Sequence, residues 1–166
     1  MNNQHPRRGD RSQVPSEFEE KVVQVNRVSK KTKGGNKIGF SVLVVVGDKK
    51  GRVGVGLGGA PDVSAAVKKA VIYARKHLIT VPMKKTTIPH VVFVKLGAAR
   101  IMLKPAPAGT GVIAGGPVRA VVEAAGIRDI VSKILGTSNK ASNVYATIEA
   151  LKQLKPVKQV QAAAKQ

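Results

Sequence analysis

The chain has 166 residues, of which 29 are lysine or arginine and 9 are aspartate or glutamate, so its formal net charge is +20. A charge this large exceeds the roughly 2–8 that solubility needs and predicts a polyanionic partner, with nucleic acid the first choice. Cysteine is absent, which excludes disulfides, thiolate metal sites and cysteine nucleophiles, and we expect no metal and no cofactor.

Residues 1–17 show no periodicity and are predicted to be a flexible tail.

The first predicted unit, which follows this tail, begins with a three-stranded antiparallel sheet. Runs of β-branched residues, separated by glycine-containing turns, then predict three strands. These strands are Glu20 to Lys33, Ile38 to Val46 and Arg52 to Leu57. The turn between the first two falls at Gly34-Gly35-Asn36, so the sequence predicts a basic hairpin.

A helix is predicted to follow the third strand. Pro61 precedes Asp62, whose carboxylate can cap the free backbone N–H groups. Apolar residues recur at helical spacing and are expected to pack on the sheet: Val63, Val67, Ala70, Val71, Ala74 and Leu78. The opposite side is basic, with no acid expected to neutralise it: Lys68, Lys69, Arg75 and Lys76.

The pattern weakens around Val81 to Thr86, and we place a domain boundary there. The two predicted domains comprise residues 18–81 and 86–154, and residues 155–166 are predicted to be a second flexible tail. The second domain is predicted as ββαβα: strands Ile88 to Leu96 and Ala99 to Ala106, a helix from Gly116-Pro117 to Gly126, a strand within Ile127 to Leu135, and a helix from Ser142 to Leu154. The fold class is therefore α+β, βββα followed by ββαβα.

The basic residues concentrate in two stretches without acids. Sixty residues between Asp62 and Glu123 contain ten bases, and Lys21 to Lys37 contains six. The second stretch includes the hairpin tip, where glycines let the backbone approach phosphates closely. We predict that this tip binds RNA; an ordinary solvated hairpin is the alternative. Aromatic residues make up only 3%, too few for a base-stacking platform, which favours folded RNA recognised by shape and phosphates.

Two glycine-rich segments suggest other functions. Gly54 to Gly59 matches the dinucleotide-binding G-x-G-x-x-G, but its strand belongs to an antiparallel meander and Thr80 stands where an acid is expected. These glycines are expected to allow close approach of a helix or of RNA. Gly109 to Gly116 is similar to a GHMP-kinase loop, so a small-molecule phosphotransferase is the rival hypothesis, although nearby acids for Mg²⁺ are lacking. A third hypothesis is that the protein is an RNA chaperone that acts free of the ribosome.

Four segments in order resemble the bacterial-type family of small-subunit ribosomal protein S5, across about residues 17–154. They are Glu20 to Lys30, Lys33 to Gly35, Gly51 to Gly54 and Gly109 to Gly116. The resemblance implies an N-terminal domain like those that bind double-stranded RNA. It also implies a C-terminal α/β domain related in shape to GHMP kinases, and a protein that is not an enzyme.

The family further implies a cytoplasmic place in the small ribosomal subunit, stabilising its head relative to its body. The implied partners are 16S-type ribosomal RNA, proteins S4 and S8, and messenger RNA where it enters the subunit, with no membrane or small-molecule substrate, and S4 shares the role in translational accuracy. The candidate RNA-binding residues are Arg27, Ser29, Lys30, Lys31, Lys33, Gly34, Gly35, Lys37, Arg52, Lys68 and Lys69. The side matching the family's S4-facing surface is Gly109, Thr110, Gly111 and Arg119.

Overall fold

Two four-stranded sheets and three helices make up residues 17–156, the part of the chain that the computed structural model describes. The elements are β1 (Glu19–Thr32), β2 (Gly35–Gly47), β3 (Arg52–Ala60), α1 (Val63–Lys76), β4 (Ile79–Thr80), β5 (Val92–Leu96), β6 (Ala99–Pro105), β7 (Val112–Ile113), α2 (Gly116–Ala125), β8 (Ile130–Ile134) and α3 (Lys140–Lys152). The two predicted tails lie almost entirely outside the described residues. No helix between residues 17 and 156 is long and apolar enough to span a bilayer.

The first sheet has the order β1-β2-β3-β4, and every pairing in it is antiparallel. Helix α1 covers one face, where Val42, Val44 and Val46 of β2 are completely buried. The helix begins as predicted, because the Asp62 carboxylate accepts hydrogen bonds from the amides of Ser64 and Ala65.

The other face of this sheet packs against the second unit. Leu43 and Val45 of β2 and Val53 and Val55 of β3 share a core cluster with residues of α2, α3 and the second sheet. Strand β2 is therefore buried on both faces over its second half, which explains why its sequence there is continuously apolar instead of alternating.

The second sheet has the order β5-β6-β8-β7, with β7 parallel to β8 and the other pairs antiparallel. Helix α2 has Pro117 in its first turn and ends at Gly126, whose left-handed φ of 88° favours glycine. The predicted strand within Ile127 to Leu135 is confirmed as β8.

The α+β class and the order of the long elements are confirmed, and the differences are local. The two-residue strands β4 and β7 were not predicted, so the observed order is βββαβ followed by βββαβα. Helix α3 begins at Lys140 instead of Ser142, because Asn139 caps the amide of Ala141. His90, expected in a strand, lies in a bend before β5.

Backbone contacts join the two units directly. The turn between β2 and β3 donates hydrogen bonds from the Lys49 and Gly51 amides to the Ala124 and Ala125 carbonyls at the end of α2, both at 3.0 Å. A Cβ atom on Gly126 would come within 2.1 Å of the Lys49 carbonyl oxygen. We call this contact the seam; it leaves no room for a side chain between the backbones.

Candidate nucleic-acid interface

The hairpin of β1 and β2 extends beyond the rest of its sheet. The last residue of β3, Ala60, pairs with Phe40, and past this point β1 and β2 pair only with each other. We call residues 28–39 the ribbon. Its residues are exposed, apart from the half-buried Gly39, and it closes through a tight turn at Lys33 and Gly34. The ribbon thus projects from the body of the protein with both faces open to solvent.

Basic side chains occupy both faces of the ribbon. Lys30 lies directly opposite Lys37, so their side chains point to the same face. Arg27, Ser29 and Lys31 alternate with Lys30 along β1 and therefore point to the other face. Like charges directly opposite each other destabilise a hairpin. A polyanion bound against this pair would remove the repulsion.

The tip of the ribbon is shaped by two glycines with different roles. Gly35 has a left-handed φ of 124°, a conformation that side chains other than glycine rarely adopt. Gly34 has open space where a Cβ would stand. The Thr32 hydroxyl donates a hydrogen bond of 2.8 Å to the Gly35 carbonyl and closes the turn. The backbone at the tip is therefore narrow and accessible.

The basic side of α1 is largely as predicted, with one correction. Lys68, Lys69 and Lys76 are exposed, and Lys69 Nζ donates to the Gly59 carbonyl at 3.5 Å. Arg75, however, forms an ion pair of 2.8 Å with Glu20 of β1. The prediction that no acid neutralises this side is wrong at Arg75, because the fold brings an acid from a distant strand beside the helix.

Arg52 stands apart from the other candidate RNA-binding residues because acids of the same chain neutralise it. Its guanidinium binds Asp48 at 2.6 Å and Glu17 at 2.8 Å and lies 5.0 Å from the centre of the Phe18 ring. The hydrogen bonds that the guanidinium donates to Asp48 and Glu17 raise the pKa of Arg52 above its ordinary value. These contacts hold together the end of the first sheet that lies farthest from the ribbon, which we call the root of the sheet.

All eight acids within residues 17–156 have partners inside the protein. Six form ion pairs, and Asp62 and Asp129 accept hydrogen bonds from backbone amides. The paired acids are Glu17, Glu19, Glu20, Asp48, Glu123 and Glu149. Among the described residues, no acid lies within ion-pair distance of the ribbon's bases or of Lys68, Lys69 and Lys76. The positive charge of these two regions is uncompensated.

The second group of candidates lies at the loop that leads to α2. The buried Asp129 carboxylate accepts hydrogen bonds of 3.0 Å from both the Gly109 and Gly111 amides. Hydrogen bonding by Thr86, and then by the loop amides, lowers the pKa of Asp129. Sequence reasoning missed this residue because a single acid before a strand carries no periodic signal. The carboxylate occupies two amides that a phosphate-binding loop would need.

Arg119 lies on the first turns of α2 and is held by a small charge network. Its Nε atom donates to Glu123 at 2.6 Å, and Lys21 of β1 donates to the same carboxylate at 2.8 Å. Lys21 and Arg119 together lower the pKa of Glu123. The network connects the helix that carries Arg119 to the first sheet. The described residues contain no group of three or more acids and histidines that could hold a metal ion.

Comparison with known families gives two matches along the chain. Residues 18–82 match the sequence model of "Ribosomal protein S5, N-terminal domain". Residues 94–164 match that of "Ribosomal protein S5, C-terminal domain". The two matches follow the order of the two sheets, and together they cover most of the sequence.

Proposed function

The chain belongs to the ribosomal protein S5 family, and from this premise we propose that it binds 16S-type ribosomal RNA and stabilises the head of the small subunit relative to its body. The family is one of structural, non-enzymatic constituents of the small ribosomal subunit. In the proposal the protein works in the cytoplasm and contributes to translational accuracy together with S4. S8, and messenger RNA where it enters the subunit, are the further proposed partners.

The observation that carries RNA binding is the uncompensated charge of the ribbon. Lys30, Lys31, Lys33 and Lys37 lie on this two-stranded projection, which is narrow enough to enter a groove of folded RNA, and Arg27 lies at its base. Phosphate contacts by such side chains supply affinity and fix the orientation of the protein. The exposed Lys68 and Lys69 of α1 extend the same charge over the neighbouring helix.

The loop at Gly109 to Gly111 supports a protein contact better than an RNA contact. Asp129 holds its backbone in one conformation, and Thr110 is exposed at its centre. A loop fixed in this way loses little conformational entropy when a partner binds. Arg119, on the helix that follows, is paired with Glu123 and so brings little net charge. We propose that the loop at Gly109 to Gly111, together with Arg119, contacts S4.

The rival phosphotransferase finds no support in the geometry of the same loop. Phosphate-binding loops present free backbone amides, and here the Gly109 and Gly111 amides already bind Asp129. Glu123, the acid closest in sequence to the loop, is shared by Lys21 and Arg119. Phosphoryl transfer also requires acids that bind Mg²⁺, and these two carboxylates are engaged elsewhere.

Co-sedimentation tests the proposal directly. The purified chain should co-sediment with small ribosomal subunits that have been depleted of their own S5 protein. Its affinity for 16S-type RNA should fall steeply as salt rises, because several phosphates release counterions. RNA binding without co-sedimentation would support a free RNA chaperone instead. Binding that is independent of salt would contradict the assignment of the ribbon as the interface.

A further inference from the structure

The outer face of the second sheet has no helix against it within residues 17–156. Helices α2 and α3 pack on the inner face, where Val94, Ile101, Leu103 and Ile130 are buried. The side chains that alternate with these residues point outward. They form what we call the outer face: Phe93, Lys95, Arg100, Met102, Lys104, Ile113, Val131 and Lys133.

Strand pairing arranges this face in three rows. Phe93 lies opposite Met102, which lies opposite Lys133 on the next strand. Lys95 lies opposite Arg100 in the row on one side. In the row on the other side, Lys104 lies opposite Val131, which pairs with Ile113. Adjacent rows are separated by about 7 Å, since two residues of a strand rise that far. Bases therefore surround an apolar centre.

The charge of this face is as uncompensated as that of the ribbon. Its four bases have no ion-pair partner among the described residues, and Lys95 and Arg100 repel each other across their strands. The acids of the second unit lie elsewhere: Glu123 at the first sheet, Asp129 at its loop, and Glu149 in α3 beside Lys152. The uncompensated charge of this face favours an anionic occupant.

The exposed ring of Phe93 indicates which kind of anion this face would bind. Its side chain is 57% exposed, whereas Phe18 and Phe40 are half-buried. Phe93 lies on the edge strand β5, beside Lys95 and diagonally across from Arg100. An exposed aromatic ring on a sheet surface, close to basic residues, is an arrangement by which proteins stack one unpaired base while binding its phosphates. Duplex RNA offers phosphates but keeps its bases stacked inside. We infer that the outer face binds a single-stranded stretch of RNA, with one base stacked on Phe93 and the phosphates beside Arg100 and Lys133.

This inference rests on the proposed function and adds a second RNA surface, whose target is unpaired instead of folded. It differs from the expectation drawn from the low aromatic content, because one exposed ring is enough for one base. The two surfaces lie on different sheets. Substitutions can therefore separate them.

The test uses the full chain with a short fluorescein-labelled oligouridine and an RNA duplex as probes. The background variant is Lys30→Ala/Lys33→Ala/Lys37→Ala, so that the ribbon contributes little. In this background Phe93→Leu should weaken oligouridine binding about fivefold, the low end of what one stacked base contributes, and leave duplex binding unchanged. Arg100→Ala/Lys133→Ala should lower the slope of log affinity against log salt by about 1.4.

A matched control removes two positive charges that do not belong to the outer face. Lys140 and Lys155 are exposed, and Lys140 begins α3, which packs on the inner face. Lys140→Ala/Lys155→Ala should change oligouridine binding much less than Arg100→Ala/Lys133→Ala. Because every substituted side chain is exposed, all variants should keep the wild-type urea midpoint. Photocrosslinking of thiouridine RNA should modify the peptide that contains Phe93.

Other results would overturn the inference. Unchanged oligouridine binding in both Phe93→Leu and Arg100→Ala/Lys133→Ala would exclude this surface, while the ribbon variants could still support the proposed function. If a poly-glutamate peptide bound as tightly as oligouridine and Phe93→Leu had no effect, the occupant would be an acidic protein. Self-association lost in Phe93→Leu would identify a second copy of the chain. Failure of the ribbon variants to reduce RNA binding would contradict the proposed function alone.

Discussion

At the scale of single residues, the alternate glycines of β3 explain a misleading motif. Gly54, Gly56 and Gly58 all point toward α1, and a Cβ atom on any of them would come within 2.3 Å of a carbonyl oxygen of the helix. Two of the three glycines of the G-x-G-x-x-G pattern, Gly54 and Gly56, thus reflect close packing of a helix on a strand, whereas the third, Gly59, does not face the helix. Of the two expectations for these glycines, approach of a helix is confirmed for this row.

Gly56 provides the sharpest test of this packing. A Cβ there would lie 2.0 Å from the Ala70 carbonyl oxygen, so Gly56→Ala must push the helix outward. We expect a loss of about 2–3 kcal/mol in the free energy of unfolding, measured by urea denaturation. Gly59→Ala is the control, because its Cβ would have only Phe40 O nearby, at 3.9 Å. Equal losses in the two variants would show that the helix is not held by the glycine row.

A second residue-scale prediction concerns acid. Lys21 and Arg119 hold the pKa of Glu123 below its ordinary value of about 4.3. Glu123 therefore stabilises the folded protein above that pH, and the contribution is lost as pH falls through the lowered pKa. Glu123→Gln should cost about 1 kcal/mol or less at pH 7, since the carboxylate is one-third exposed, and nothing once the wild-type carboxyl is protonated.

Urea midpoints measured at pH 7 and at a strongly acidic pH check this prediction. Glu149→Gln is the control, because it removes a carboxylate from one longer ion pair, 3.5 Å from Lys152, inside α3. It should cost less than Glu123→Gln at pH 7. If the deficit of Glu123→Gln persisted unchanged in acid, its cause would be lost packing and not lost charge.

At the scale of elements, the ribbon concentrates charge without contributing to the core. Its outer residues have no third strand beside them, and both its faces are exposed. Exposed charges contribute little to stability. The sequence of the ribbon is therefore free to serve binding. The root of the same strands, by contrast, holds three acids in ion pairs with neighbouring elements.

Removing two ribbon charges should separate binding from folding. Lys30→Ala/Lys33→Ala should lower the slope of log affinity for 16S-type RNA against log salt by about two, because each phosphate contact contributes roughly 0.9. The urea midpoint should stay that of the wild type. Parallel loss of stability and affinity would place these lysines in the fold instead of the interface. Lys140→Ala/Lys155→Ala serves again as the variant of equal charge.

Much of this element structure could be predicted from the sequence, and the failures have physical causes. The hairpin, α1 and α2 carry long patterns with clear caps, such as Asp62 and Gly126. Strands β4 and β7 have two residues each, too few for any periodicity. The ion pair of Arg75 with Glu20 joins residues 55 positions apart, and Asp129 reaches its loop across 18 and 20 positions. Such contacts exist only after folding.

At the scale of the whole molecule, one of the two core clusters is shared by both units, and the other lies between the first sheet and α1. Val44 points to α1 and Val45 to the second unit, and both are completely buried. The first sheet therefore cannot leave the second unit without exposing one apolar face to water. We expect the described part of the chain to unfold as one cooperative unit.

A pair of neighbouring substitutions tests this expectation. Val44→Ala and Val45→Ala should each lower the free energy of unfolding by about 2 kcal/mol, since each leaves a small cavity. In both variants, hydrogen exchange should accelerate together in α1 and α3. Two separate transitions, with Val44→Ala shifting only the one reported by α1, would show that the units fold independently.

Strand β2 joins the tip of the ribbon to the seam without interruption. Its thirteen residues, Gly35–Gly47, span about 43 Å. At the far end, a Cβ on Gly47 would come within 2.1 Å of the Ala124 carbonyl oxygen, so the backbone of the strand is in direct contact with the end of α2. In mechanical terms β2 is a strut. A load applied to the tip must either bend the strut beside Gly39, where the third strand ends, or be transmitted to the helix that carries Arg119.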